Sequence, residues 1–322
     1  VTTTSGRSLD PATFRLFNDP GDAVGPLAGQ RWLVVGANGM LGQDLVLAAR
    51  EAGAVVVGMD LPEIDITEWQ SVRAAMTIGS GTRADPTLFY DVVVNCAAWT
   101  KVDDAEDHEA EAFAINAIGP ANLARAARKF GAMLVQVSTD YVFDGEFGDP
   151  YRAVDRINPK SAYGRTKAAG EWAVMANTDE YLIVRTAWLY GAGGPNFPKT
   201  MARLAAERDT LTVVDDQMGQ PTWTGDLADL IVRLVAAEAE PGIYHGTSSG
   251  AVTWNGFAKA IMEALGSETR VEPVSSAAFA AKAPRPSYSV LDHGSLEEAD
   301  VEPIGDWAER WAVAAPVVLQ QP

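Results

Sequence analysis

The sequence predicts an α/β protein: a doubly wound parallel sheet with a smaller α/β lobe placed over one edge of its crevice. Three observations carry this. Short apolar runs alternate with helix-period segments through residue 185, the order that builds a parallel sheet with helices on both faces. The first run leads directly into a glycine-rich turn and a helix. Beyond Gly191 the alternation loosens into shorter pieces separated by Gly- and Pro-containing loops. The predicted organisation is an extension over 1–29, a dinucleotide-binding unit over 30–187, a lobe over 188–314 with segments returning to the first unit, and a tail over 315–322.

Residues 1–29 are rich in Thr, Ser, Gly, Pro and Asp around a small apolar cluster, Phe14, Leu16 and Phe17. No chemistry is assigned to them. Arg31–Val35 is a short buried strand. It enters Gly36-Ala37-Asn38-Gly39-Met40-Leu41-Gly42, then a helix to about Ala52, a second strand over Ala54–Met59, and Asp60. Asp65 or Thr67 caps the next helix, and 79–87 is a loop. Asp91–Asn95 is a third strand, followed by Cys96, Ala97 and Ala98. One long acidic helical stretch is expected from Asp103 to Phe130, with Asn116 and Asn122 inside it at poor propensity. A fourth strand over Ala132–Val137 ends at Ser138-Thr139-Asp140-Tyr141. A helix carrying Tyr163 and Lys167 follows, then a fifth strand over Tyr181–Arg185. Later pieces are helices near 197–207, 225–237, 254–265 and 306–312, and strands near 212–215 and 242–245.

Composition narrows the chemistry. The chain has 322 residues, enough for a large core, and a formal net charge of -18. So acidic a chain argues against nonspecific nucleic acid or anionic membrane partners, and an anionic ligand needs a local reversal of sign. The single cysteine, Cys96, excludes an intrachain disulfide and favours the cytoplasm. No apolar run has membrane-spanning length and no secretory signal is visible. The three histidines are scattered without ligand spacing, so no metal is expected. Oligomeric state is not legible, which leaves a homodimer open.

Two patterns carry function. The first is the glycine turn in strand–turn–helix context. Glycines let the backbone approach a pyrophosphate that rests on the helix N-terminus, which assigns Gly36, Asn38, Gly39, Met40, Leu41 and Gly42 to a cofactor. Asp60 is placed to accept from adenosine ribose hydroxyls, or simply to cap its strand end. No Arg follows it to hold a 2′-phosphate, which leans within NAD(P)H toward NADH. The small residues Cys96, Ala97 and Ala98 allow a flat ligand against the third strand end. The second pattern is Tyr163 with Lys167 four residues on, one helical turn apart on one face. An ammonium beside a phenol favours the phenolate and makes the pair a proton donor or acceptor. Such a pair also occurs as plain neighbours on a solvated face. Thr139, at the carboxyl end of a parallel strand, faces the same crevice.

The set Gly36-x-x-Gly39-x-x-Gly42, Ser138-Thr139-Asp140-Tyr141-Val142-Phe143-Asp144-Gly145 and Tyr163-x-x-x-Lys167 resembles the extended short-chain dehydrogenase/reductase superfamily, over about residues 31–312. The resemblance implies a Rossmann-like fold and a catalytic group of Thr139, Tyr163 and Lys167. It adds Asp65 and Ile66 to the cofactor surface, assigns Asp140, Tyr141 and Trp188 to the sugar, and matches Asn116 to a residue that supports the lysine. Arg285 and Lys199 are the candidate cations for a substrate diphosphate. The branch it matches reduces the C4 ketone of a dTDP-4-keto-6-deoxy-hexose, which implies dTDP-L-rhamnose as product. Related dehydratases carry an acid where this chain has Tyr141. Two alternatives stay open: another deoxysugar ketoreductase or nucleotide-sugar epimerase, and a non-catalytic subunit like the regulatory partner of methionine adenosyltransferase. Motifs do not fix the stereochemistry of reduction.

Overall fold

The computed structural model describes residues 24–78, 89–279 and 281–320. The cluster Phe14, Leu16 and Phe17 and the loop 79–87 lie outside the described residues. Among those described, the central sheet has six strands. They are β1 (Arg31–Val35), β2 (Val55–Met59), β3 (Val92–Asn95), β4 (Met133–Thr139), β5 (Tyr181–Thr186) and an edge strand, Gly242–His245. The order is Gly242–His245, β5, β4, β3, β1, β2, and every pairing is parallel. The sheet is thus the doubly wound, Rossmann-like α/β arrangement the alternation predicted.

Strand side chains alternate between two cores, as a period of two requires. Trp32 and Val34 join the core formed with α1 (Met40–Glu51) and the helix Thr224–Ala236. Leu33 and Val35 join the opposite core, with α2 (Trp69–Ile78) and the helix Gly119–Phe130. Burial on both faces is why these strands read as continuous apolar runs. Leu27, in the stretch before β1, is fully buried, and its N–H bonds the Ala52 carbonyl at 2.9 Å.

Four local expectations differ from what is observed. The stretch from Asp103 to Phe130 is not one helix. It breaks into a 3-10 turn at Asp104–Glu106, a short helix Glu109–Phe113, a π-helical turn Ala114–Ile118 and the helix Gly119–Phe130. Asn116 sits in the π turn, whose wider loop lets its side chain reach Trp99. Gly242–His245 is an edge strand of the central sheet rather than a piece of the later lobe. Arg270–Val274 is a strand parallel to Thr210–Val214 that periodicity did not reveal. The last helix runs from Trp307 to Val318, with Ala314, Ala315 and Val318 buried.

The later pieces pack about their own core, which includes Tyr190, Phe257, Ile261 and Trp311. Short strand pairs, Leu189–Tyr190 with Thr222–Trp223 and Met218–Gly219 with Val252–Thr253, join it to the crevice. Among the described residues no helix is long and apolar enough to cross a membrane.

Candidate active site

Strand order reverses between β1 and β3, and a crevice opens at their carboxyl ends. Val35 lies opposite Asn95 there. The loops beyond these two residues run in backbone contact. Gly36 has φ +78°, and a Cβ on it would fall 2.7 Å from the Ala97 nitrogen. A Cβ on Gly42 would fall 2.1 Å from the Gly36 carbonyl oxygen. Glycine is therefore required at both. The Gly36 and Ala37 N–H groups are taken by the Met59 carbonyl. Gly39 starts α1 without a side-chain cap, and no acid stands in the first turn. Asn38 and Gly39 are exposed. An uncapped helix N-terminus in a glycine cradle fits a dinucleotide pyrophosphate.

Asp60 accepts from the Asn38 N–H at 3.1 Å and the Leu61 N–H at 2.9 Å. It caps its strand end and braces the glycine loop, and its carboxylate still has acceptor capacity left. Asp65 accepts from the N–H and hydroxyl of Thr67. Ile66 is buried, and its carbonyl accepts from Asn122 at 2.9 Å. Cys96 is half-buried, and burial pushes its thiol up to about 12.

Thr139, Tyr163 and Lys167 come together at the end of β4. The helix Ala162–Asn177 is capped by Ser161, whose hydroxyl accepts from the Gly164 N–H at 3.1 Å. Gly164 lets it lie on the Tyr141 backbone, since a Cβ there would fall 2.2 Å from the Tyr141 oxygen. Burial pushes the Tyr163 phenol up to about 12, a hydrogen bond from Thr139 opposes this, and the Asp140 charge adds to it. The expected lowering by Lys167 is not observed. Its ammonium donates instead to the Val137 carbonyl at 2.7 Å. Burial lowers Lys167 to about 8, against the opposing charge of Glu171. Asn116 does not bond Lys167 either. Its amide holds the Trp99 backbone and the Thr166 hydroxyl.

A family model described as the RmlD substrate binding domain matches residues 30–317. The chain belongs to that family. A dTDP-4-dehydrorhamnose reductase of Streptomyces griseus is 49% identical over 290 residues, covering 88% of this chain and 92% of its own. A dTDP-4-keto-6-deoxy-D-glucose reductase of Streptomyces niveus is 46% identical over 290 residues, covering 89% and 97%. The crystal structure of a Bacillus anthracis dTDP-4-dehydrorhamnose reductase in complex with NADP is 37% identical, with a TM-score of 0.83 over 88% of this chain and 98% of that one.

In this RmlD-family chain, of the remaining candidates Tyr141 and Arg285 line one cavity, and Asp140, Trp188 and Lys199 do not. Tyr141 meets Tyr163 edge-on, with centroids 5.5 Å apart, and lines a cavity of about 480 Å³ with Arg285 and Lys160. Asp140 does not reach that cavity wall. It is 2% exposed and accepts from the Thr139 hydroxyl at 3.0 Å. Arg285 borders the cavity but is held by Asp103 through bonds of 2.6 and 3.0 Å, which draws the Asp103 carboxyl down to about 2. The Lys199 ammonium donates to the Ala192 carbonyl.

Trp188 has φ 46°, a left-handed conformation uncommon for a bulky residue. Its ring stacks on Trp254 with centroids 3.5 Å apart. Sequence reasoning missed Trp254, the Asp103 partner, the buried Asn95–Gln136 pair at 2.9 Å, and the bonding of Glu171 to Arg185. Only the last left a signal: an arginine closing an otherwise apolar strand.

Proposed function

We propose that the protein reduces the C4 ketone of a dTDP-4-keto-6-deoxy-hexose with NAD(P)H, converting dTDP-4-dehydrorhamnose to dTDP-L-rhamnose. The observation that carries this is the meeting of Thr139, Tyr163 and Lys167 beside the glycine cradle, in an RmlD-family chain. The 46% identity to a dTDP-4-keto-6-deoxy-D-glucose reductase supports a second reading, reduction of that ketosugar, which differs from dTDP-4-dehydrorhamnose in configuration at C3 and C5. A non-catalytic role has no such support.

NAD(P)H, when bound, supplies the hydride. The glycine loop and the start of α1 would hold its pyrophosphate, and Asp60 its adenosine ribose. Tyr163 stays protonated because burial opposes the phenolate, so it is the proton donor to the alkoxide forming at C4. Thr139 hydrogen-bonds the same oxygen. Its single proton, which rests on Asp140 at 3.0 Å, turns to that oxygen while the hydroxyl oxygen goes on accepting from the Tyr141 N–H at 3.2 Å. Lys167, as an ammonium, holds the nicotinamide ribose hydroxyls. Tyr141 and Trp188 line the sugar, and Arg285 leaves Asp103 for the diphosphate.

Two measurements follow from these roles. With Lys167 lowered to about 8, its ammonium is present below that pH and lost as pH rises through it. The pH profile of kcat/KM is therefore expected to fall on its alkaline side near that value, and a profile flat well beyond it would remove Lys167 from this role. The second measurement is kcat/KM for the ketosugar with NADH and with NADPH. With Asp60 at the ribose, NADH is expected to serve at least as well, and a strong NADPH preference would remove Asp60 from that position.

A further inference from the structure

Glu171 ends the stretch that carries Tyr163 and Lys167, and nothing in the reaction as described uses it. It follows Lys167 by one helical turn and Tyr163 by two, on the same face. Its carboxylate is 1% exposed, and the Arg185 guanidinium 2%. One oxygen accepts from the Ser138 hydroxyl at 2.6 Å and from Arg185 Nε at 2.9 Å, and the other from Arg185 Nη2 at 2.8 Å. Arg185 lies in β5 directly opposite Ser138 of β4. Its guanidinium also donates to the Ala153 carbonyl at 3.1 Å and lies 5.0 Å from the Phe143 ring centroid.

The helix thus meets three consecutive residues of β4. Lys167 bonds the Val137 carbonyl, Glu171 bonds Ser138, and Tyr163 lies beside Thr139. On other sides the helix is already at backbone contact, because Gly170 faces the Asn116 carbonyl so closely that a Cβ would fall 2.1 Å from it. Sliding and rotation against the strand are the freedoms left, and the Glu171 fork removes both.

We propose that Glu171 is a positioning residue for the reduction, clamping the helix of Tyr163 and Lys167 to the strand end of Thr139 through Ser138 and Arg185. The inference rests on the proposed reduction. A misplacement on the order of 1 Å between reacting groups costs up to about a hundredfold in rate, so the clamp bears on kcat rather than on substrate affinity.

The test separates clamping from fold stability. In Glu171→Met/Arg185→Met the buried pair is replaced by apolar side chains, an exchange that is often neutral for stability. Tm is expected to stay near wild type, kcat to fall about tenfold or more with KM within about twofold, and NADPH affinity, read by protein fluorescence without any ketosugar, to weaken about tenfold. Wild-type kcat and wild-type NADPH affinity in that folded variant would overturn the inference. Should the double variant fail to fold, Ser138→Ala keeps the ion pair and decides: a several-fold lower kcat at unchanged Tm supports the clamp, and an unchanged kcat overturns it. Absence of ketosugar turnover by the wild-type chain would count against the proposed reduction instead, and the NADPH affinities would still decide on Glu171.

Discussion

Tyr163→Phe is expected to lower kcat for ketosugar reduction about 10³-fold, within the range that a positioned acid contributes. Phe fills the same space and keeps the edge contact with Tyr141, 5.5 Å between centroids at 77°. The fold, the glycine cradle and the Lys167 bond to Val137 are untouched by the change. KM for the sugar and affinity for NADPH should therefore hold while kcat collapses, which marks a group acting only in the transition state. Steady-state kinetics with a parallel fluorescence titration of NADPH would show the split. A wild-type kcat would mean that another group protonates the alkoxide.

Arg185→Met is expected to destabilise the protein by about 3–5 kcal/mol, the usual cost of removing one partner of a buried pair. The Glu171 carboxylate would then be buried with only the Ser138 hydroxyl as partner. The contact with the Phe143 ring and the bond to Ala153 go at the same time. Nearby His245 is held down first by burial, which the substitution leaves in place, and then by the Arg185 charge, which it removes. Thermal unfolding should register a drop in Tm of roughly 10 °C. Restoration of Tm on adding Glu171→Met would show that the uncompensated carboxylate is the cause, and an unchanged Tm in the single variant would deny that the pair is as buried as described.

The sheet was legible because its strands are buried on both faces and read as apolar runs bounded by turn residues. Gly242–His245 was visible as a strand but not as the sheet edge, since parallel pairing with β5 joins residues far apart in sequence and leaves no local trace. Arg270–Val274 was missed because its residues are exposed or half-buried and include Glu272 and Pro273. The acidic stretch from Asp103 looked continuous because its alanines favour helix throughout. What breaks it is tertiary: Asn116 turns to the Trp99 backbone, and Gly119 admits Ile66, whose Cδ1 would lie 2.5 Å from a Cβ there.

The candidate site was legible as a set of residue types and not as a network. Spacing placed Tyr163 and Lys167 on one face but could not show that Lys167 bonds a strand carbonyl. It suggested Arg285 as a free cation, whereas Asp103, far away in sequence, holds it. The resemblance offered Asp140 to the sugar, although that carboxylate is buried and accepts from the Thr139 hydroxyl. Partners set by folding decide charge, reach and protonation, and motifs do not record them.

The most direct measurement is turnover of dTDP-4-keto-6-deoxy-L-lyxo-hexose with C4-deuterated NADH or NADPH, with the product sugar identified by NMR. Reduction at C4 predicts dTDP-L-rhamnose carrying deuterium at C4, formed by the wild-type chain and lost in Tyr163→Phe. No turnover with either cofactor, product without deuterium at C4, or turnover confined to dTDP-4-keto-6-deoxy-D-glucose would contradict it.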